Sequence, residues 1–126
     1  MEKKQIEWVL RIGVAGEFIG HGALALLGKS DWVSWIVMLT GVSIPLATKV
    51  LFAIGIMDQL VALSVLIRPM RPVLLWAALW GFWTAILRPV VGQSVWDFVE
   101  RSANWAAPLA LLGLLGLPRT RKEFFS

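Results

Sequence analysis

The chain contains no cysteine and no tyrosine, and it has a single histidine. Without thiols there is no disulfide framework, no thiolate metal site and no CxxC redox chemistry, so any electrons handled here need a bound cofactor or a partner protein. One histidine is also too little for a protein metal site, which takes three or four ligands, and bis-histidine haem would need a second copy of the chain. No metal site is expected. Charge is scarce as well: Asp, Glu, Lys and Arg make up 16% of the 126 residues, against about 25% in soluble domains. There is no Ser/His/Asp set and no phosphate-binding glycine loop, so an enzyme acting alone is the least favoured reading and no catalytic residue is named.

What is abundant is apolar. Hydrophobic residues make up 58% of the chain, with eight Trp and a mean hydropathy of +0.74, a surplus too large for one small soluble core. A membrane-spanning helix takes about 20 mainly apolar residues. The length therefore fits four such helices joined by short loops, with no soluble domain. The expected fold is all-α: a polytopic membrane protein, a four-transmembrane-helix bundle forming one domain over 1–126, with an additional short interfacial or re-entrant segment. The net charge of +4 is spread over the ends of apolar runs and forms no continuous basic face, so it reads as a topology signal and nucleic acid is not an expected partner.

The first apolar run extends from about Trp8 to Leu27 and closes at Lys29, Ser30 and Asp31. Lys3 and Lys4 ahead of it, and Ala23-Leu24-Ala25 within it, have the form of a secretory leader. Glu17 and His21 inside the run, and Leu26 and Leu27 after the small-residue triplet, argue instead for a retained first span. Glu7 and Arg11, four apart, can pair at its start. The segment from Trp32 to Pro45 is too short to span, and Trp32 and Trp35 suit the headgroup region. Val50 to Ile67 forms the second span, stopped by Arg68-Pro69-Met70-Arg71-Pro72. The third runs from Val73 to about Arg88, broken there by Pro89, and the fourth from Val95 to Leu117, with a kink expected at Pro108.

Four spans place Lys3, Lys4, Arg68, Arg71, Arg119, Arg121 and Lys122 on one side. Lys29, Lys49, Arg88 and Arg101 lie on the other, interspersed with Asp31, Asp97 and Glu100. The excess of positive charge then puts both termini in the cytoplasm.

The informative residues are those that lipid excludes. An ionisable group at the centre of a membrane helix costs about 2.5–3.5 kcal/mol on insertion scales, so it normally faces the bundle interior. Glu17 lies near the middle of the first span and Asp58 near the middle of the second. Gly13, Gly16, Glu17, Gly20 and His21 share one side of the first helix, and Gly55, Asp58 and Ala62 share one face of the second. Small residues at that spacing admit a close helix neighbour, from the same chain or from a second copy in a homodimer. Arg88 and the stripe Asp97, Glu100 and Asn104 lie toward the outer end, with Arg101 placed to pair with Asp97. Together these residues outline an outward-opening polar pocket floored by the two acids, with Glu17, His21, Asp58, Arg88, Glu100 and Asn104 as candidates for binding a ligand or a proton. The plainer readings stand beside this one: a solvated helix end for Asp97, Glu100 and Arg101, and a packed histidine bonded to Glu17 or a carbonyl for His21. Trp76, Trp80 and Trp83 form an aromatic stripe on the third span. Such a stripe serves packing or lipid contact, or the face of a flat-ring ligand such as a quinone.

The run Arg11-Ile-Gly13-Val-Ala-Gly-Glu17-Phe18-Ile-Gly-His21-Gly22, with Gly55-Ile-Met-Asp58-Gln-Leu in the second span, resembles the DoxX-like family of small prokaryotic membrane proteins. Arg11, Gly22 and Asp58 map onto the family pattern, in which the second-span acid is more often Glu. The Trp32–Pro45 segment and the Glu17/His21 pair are outside that pattern. The resemblance implies a four-span protein of the inner membrane, linked to sulfur or thiol oxidation with quinone as acceptor and working as one subunit of a redox system. Three functions follow as alternatives: an accessory or ligand-binding subunit of a membrane redox system, a small proton- or cation-coupled transporter or channel, and a structural assembly factor. The transporter reading lacks an internal repeat legible in the sequence.

Overall fold

A computed structural model describes all of residues 1–126, and every regular element in it is helical. In chain order these are α1 (Lys3–Leu26), α2 (Ser30–Thr40), α3 (Ile44–Ile67), α4 (Arg71–Val90), α5 (Val95–Val99), α6 (Ser102–Leu115) and a terminal turn, α7 (Arg121–Phe124). Three helices, α1, α3 and α4, are long and apolar enough to cross a membrane. Their outward faces carry large apolar side chains such as Ile12, Leu60 and Leu79, each more than half exposed. Exposure of that kind along whole helices fits a lipid solvent and not water.

The boundaries differ from the sequence expectation where capping chemistry outweighs hydropathy. Helix α1 begins five residues before Trp8, where the Glu2 amide donates to Gln5 Oε1 at 2.9 Å as half of a capping box. Pro45, expected to close the short segment, instead lies in the first turn of α3. Ser43 caps that helix by accepting from the Leu46 amide at 3.3 Å, and proline is tolerated where no intrahelical donor is needed. The short segment itself ends at Gly41, whose φ of 74° closes α2 in the left-handed conformation. The run from Val95 to Leu117 is not one helix. It breaks at Glu100 and Arg101, and α6 continues through Pro108.

Four helices, α1, α3, α4 and α6, form an antiparallel bundle in which α1 packs chiefly on α3 and α4 chiefly on α6, with α6 also meeting α1. Helices α3 and α4, although consecutive, touch only lightly. One half of the bundle is filled by a dry core that includes Val14, Phe18, Ala62, Val65, Leu74 and Leu111. A smaller cluster, Ala25, Val33, Ala47 and Leu51, fixes α2 across the other end.

Each helix pair is joined by the same two devices. Arg11, only 7% exposed, donates from Nε to the Val65 carbonyl at 2.8 Å and from a terminal nitrogen to the Leu66 carbonyl. It thereby satisfies two of the acceptors that the end of α3 leaves without intrahelical donors. Arg71 does the same for α6, donating to the carbonyls of Gly116 at 2.8 Å and Leu115 at 2.9 Å. About three turns further along α1 and α4, a glycine brings the partner backbone close. A Cβ on Gly22 would lie 3.1 Å from the Gly55 carbonyl oxygen, and one on Gly81 would lie 2.8 Å from the Asn104 carbonyl carbon. Asn104 is four residues before Pro108, which has no amide hydrogen to give it, so the carbonyl freed by the proline is the one that nestles against Gly81.

Candidate functional site

A cavity of about 250 Å³ lies beneath α2, in the region where α3 and α4 diverge. It is walled by Trp32, Trp35, Ile36 and Leu39 of α2, by Val50, Leu51 and Ile54 of α3, and by Trp80, Trp83 and Leu87 of α4; His21, Asp58, Thr84 and Arg88 supply its polar atoms. Its walls are therefore mostly indole and aliphatic, the usual composition of a small-molecule site with a few placed polar groups.

Asp58 comes from the middle of α3 and is 3% exposed. Gly22 makes room for it, since a Cβ there would stand 2.9 Å from Asp58 Cβ. The neighbouring Gln59 steadies the crossing by donating from Nε2 to the Ile19 carbonyl at 3.1 Å. No hydrogen-bond partner meets Asp58 Oδ1.

Arg88 comes from the last turn of α4 and is 5% exposed. One terminal nitrogen donates to the carbonyl of Thr84, which turns the side chain back along its own helix. The guanidinium carbon sits 5.0 Å from the Trp35 ring centroid and 6.0 Å from that of Trp32, within range of cation–π attraction. Its Nε has no partner, and neither of the chain's two ion pairs includes it. Lys29 adds a second cation near the same indoles, 4.8 Å from the Trp32 centroid. His21 meets the edge of Trp32, with centroids 5.7 Å apart, and not Glu17. The cavity thus joins an aromatic box to two buried ionisable side chains, Asp58 and Arg88, each with a buried atom that has no hydrogen-bond partner. Buried polar atoms are seldom left so, and such exceptions concentrate where a ligand or water completes them.

Of the other residues marked in the sequence, the structure places Glu17, Glu100, Asn104 and Trp76 outside the cavity lining. Glu17 is half-buried on α1, on the same side as Gly13, Gly16 and Gly20. A Cβ on any of those three glycines would meet nothing from a neighbouring helix within 4 Å. The close neighbour expected for that face is therefore not supplied within one copy; the intrachain approach runs through Gly22 and Gly55 instead. Trp76 stacks on Trp80 at 5.6 Å and donates to Met57 Sδ at 3.2 Å. Glu100 pairs with Arg101 at 2.8 Å, while Arg101 meets Asp97 only through its backbone carbonyl, at 2.9 Å. The expected Glu7–Arg11 pair is present at 3.4 Å. Trp32 and Trp35 were missed as cavity residues because their short segment read as a headgroup anchor; their spacing of three, on one helix face, was the available signal.

No protein-family model matches the sequence, and comparison with curated proteins and with solved structures finds no match either.

Proposed function

We propose that this chain is a four-span protein of the cytoplasmic membrane that binds a small flat-ring ligand of quinone type in the cavity under α2, as the ligand-binding or accessory subunit of a membrane redox system. Helices α5 and α6 together make up the fourth span, and both termini are cytoplasmic, so the cavity opens toward the outer side. The observation that carries the reading is that Asp58 and Arg88, two buried side chains each with an atom that has no hydrogen-bond partner, line one cavity walled by indoles. Burying such groups is costly unless something completes their hydrogen bonds. The resemblance of the Arg11–Gly22 and Gly55–Asp58 segments to DoxX-like proteins supports the same assignment, with a redox protein as partner.

A proton- or cation-coupled transporter would need a polar route through the other half of the bundle. That half is filled by Val14, Phe18, Ala62, Val65, Leu74 and Leu111, which disfavours transport relative to binding. The test is mass spectrometry of the organic extract from purified protein. A ring compound should co-purify with the wild type and be lost from an Arg88→Met variant of unchanged helicity. Recovery of bulk phospholipid alone, or equal retention by the variant, overturns the proposal.

A further inference from the structure

We infer that the cavity opens sideways into the bilayer, through a window between α3 and α4, and takes its ligand from the lipid phase, with the ring held inside and a hydrocarbon tail left in the window. The inference rests on reading the cavity as a quinone-type site. It adds the route of entry and the class of molecule, a ring compound that carries a hydrocarbon chain.

Four of the residues that wall the cavity are exposed: Leu39 and Thr40 at the end of α2, Val50 on α3 and Trp83 on α4. Leu39, Val50 and Trp83 are 45%, 40% and 45% exposed, whereas Asp58 and Arg88 are buried. The exposed wall residues mark the mouth, and none is charged. The single hydroxyl among them, on Thr40, already donates to the Ile36 carbonyl at 2.6 Å. A mouth of that composition offers little to water or to an ion, while lipid tails are as apolar as leucine and meet no barrier there.

Helix geometry gives its depth. Val50 is six residues from the outer end of α3 at Ile44, and Trp83 is seven from the outer end of α4 at Val90. At about 1.5 Å per residue both lie about 10 Å below the helix ends, so they face each other across the seam at one level. Leu39 of α2 forms the upper edge. The lower edge is the contact in which Trp76 donates to Met57 Sδ at 3.2 Å and ties α4 to α3, at a depth of about 20 Å by the same measure. Between these edges the two helices touch only lightly, and in a hydrocarbon core about 30 Å thick the opening faces acyl chains and not headgroups. A ring among the indoles beside Asp58, Arg88 and His21 would let an attached tail leave past Val50, Ile54 and Trp83. Moving that tail from bilayer to window exchanges one apolar surrounding for another, so it contributes little to affinity. What it supplies is residence in the phase onto which the window opens.

The experiment uses the full chain in phosphatidylcholine vesicles and a benzoquinone whose decyl tail carries a photoreactive diazirine close to the ring, with labelled residues located by mass spectrometry. Phe52 and Phe82 are the controls, because they are exposed on the same two helices near the same depth but do not wall the cavity. Leu39, Val50 and Trp83 should be labelled at least about tenfold more than those controls, and an excess of untagged decyl-benzoquinone should remove the difference. Displaceable labelling at Lys29 or Gln93 instead would mean filling through the aqueous end, which refutes the window and leaves the quinone-type site standing. Labelling no stronger than at the controls, and not displaced, would remove the site and the inference together. If a phosphatidylcholine with a diazirine in its acyl chain labels the same three residues despite excess decyl-benzoquinone, bulk lipid fills the window and the inference fails.

Discussion

The bundle's closest backbone approach makes a sharp prediction at Gly81. A methyl group added there would lie 2.8 Å from the Asn104 carbonyl carbon and 3.3 Å from the Trp105 amide nitrogen. Both belong to the α6 backbone, so no rotamer change can relieve the clash and the two helices must separate. Forcing extra volume into a packed site costs about 1–3 kcal/mol, and a clash with backbone belongs at the upper end. Alanine recovers about 1 kcal/mol of helix propensity over glycine. Gly81→Ala should therefore destabilise the protein by about 1–2 kcal/mol, or roughly 4–8 °C in the melting midpoint at this chain length. Gly113→Ala on α6 is the control, because a Cβ there meets nothing within 4 Å, leaving only the propensity term. Its midpoint should stay level or rise by up to about 4 °C. The assay is thermal unfolding by circular dichroism in detergent micelles. If Gly81→Ala melts with or above Gly113→Ala, the close α4–α6 crossing and the role of the carbonyl freed by Pro108 are both wrong.

Arg11→Met and Arg71→Met each strip the donors from a helix end, and each should lower unfolding stability by about 2 kcal/mol; a change below about 0.5 kcal/mol in either would show that water replaces the clamp without loss. The glycine face of Gly13, Gly16 and Gly20 is open in one copy, so Gly16→Leu should leave the melting of the monomer intact and abolish a homodimer seen by cross-linking or analytical ultracentrifugation. An unchanged oligomeric state would assign that face to lipid. Because the chain has no native thiol, Ser126→Cys and Ser30→Cys report topology without background. Impermeant maleimide should label Ser30→Cys from outside intact cells and Ser126→Cys only after the membrane is opened, and the reverse pattern would invert the proposed orientation.

Hydropathy made the long helices legible, because a run such as Val50–Ile67 with Arg68 and Pro69 behind it has few other readings. Their starts were less legible. Pro45 and Lys49 look like breakers by composition, yet a serine cap and a proline in the first turn are what a helix start requires. The interruption at Glu100–Arg101 lies inside an apolar stretch whose mean hydropathy hides it. Glycine spacing told where a helix could be approached but not where it is. Gly13, Gly16 and Gly20 had the familiar motif, while the contact falls at Gly22, singled out only by family resemblance. For the cavity, Asp58, His21 and Arg88 stood out as groups out of place in lipid, and Trp80 and Trp83 as part of an aromatic stripe. Trp32 and Trp35 did not, because their place in the cavity wall depends on how α2 folds over the bundle, and that is set by the small cluster around Ala47 and Leu51.

The two helix pairs also explain why the site lies on one side of the molecule. Helices α1, α2 and α3 repeat in outline as α4, α5 and α6: a long helix with an arginine near its start, a short helix, and a return helix whose last carbonyls that arginine holds. The sequence conceals this, since the shared plan needs only Arg11 and Arg71, and Gly22 and Gly81, at similar spacing. Beyond those arginines, the polar residues differ between the halves. Where the first half carries Glu17, His21 and Asp58, the second carries Trp76, Trp80 and a return helix containing Trp105, and the five-residue α5 is too short to roof a cavity as α2 does. A site formed under α2 therefore takes its acid from the first half, its arginine from the second, and its indoles from both. Neither half alone contains both unpartnered atoms. The seam between the halves, where α3 and α4 make few contacts, is where the proposed ligand would enter.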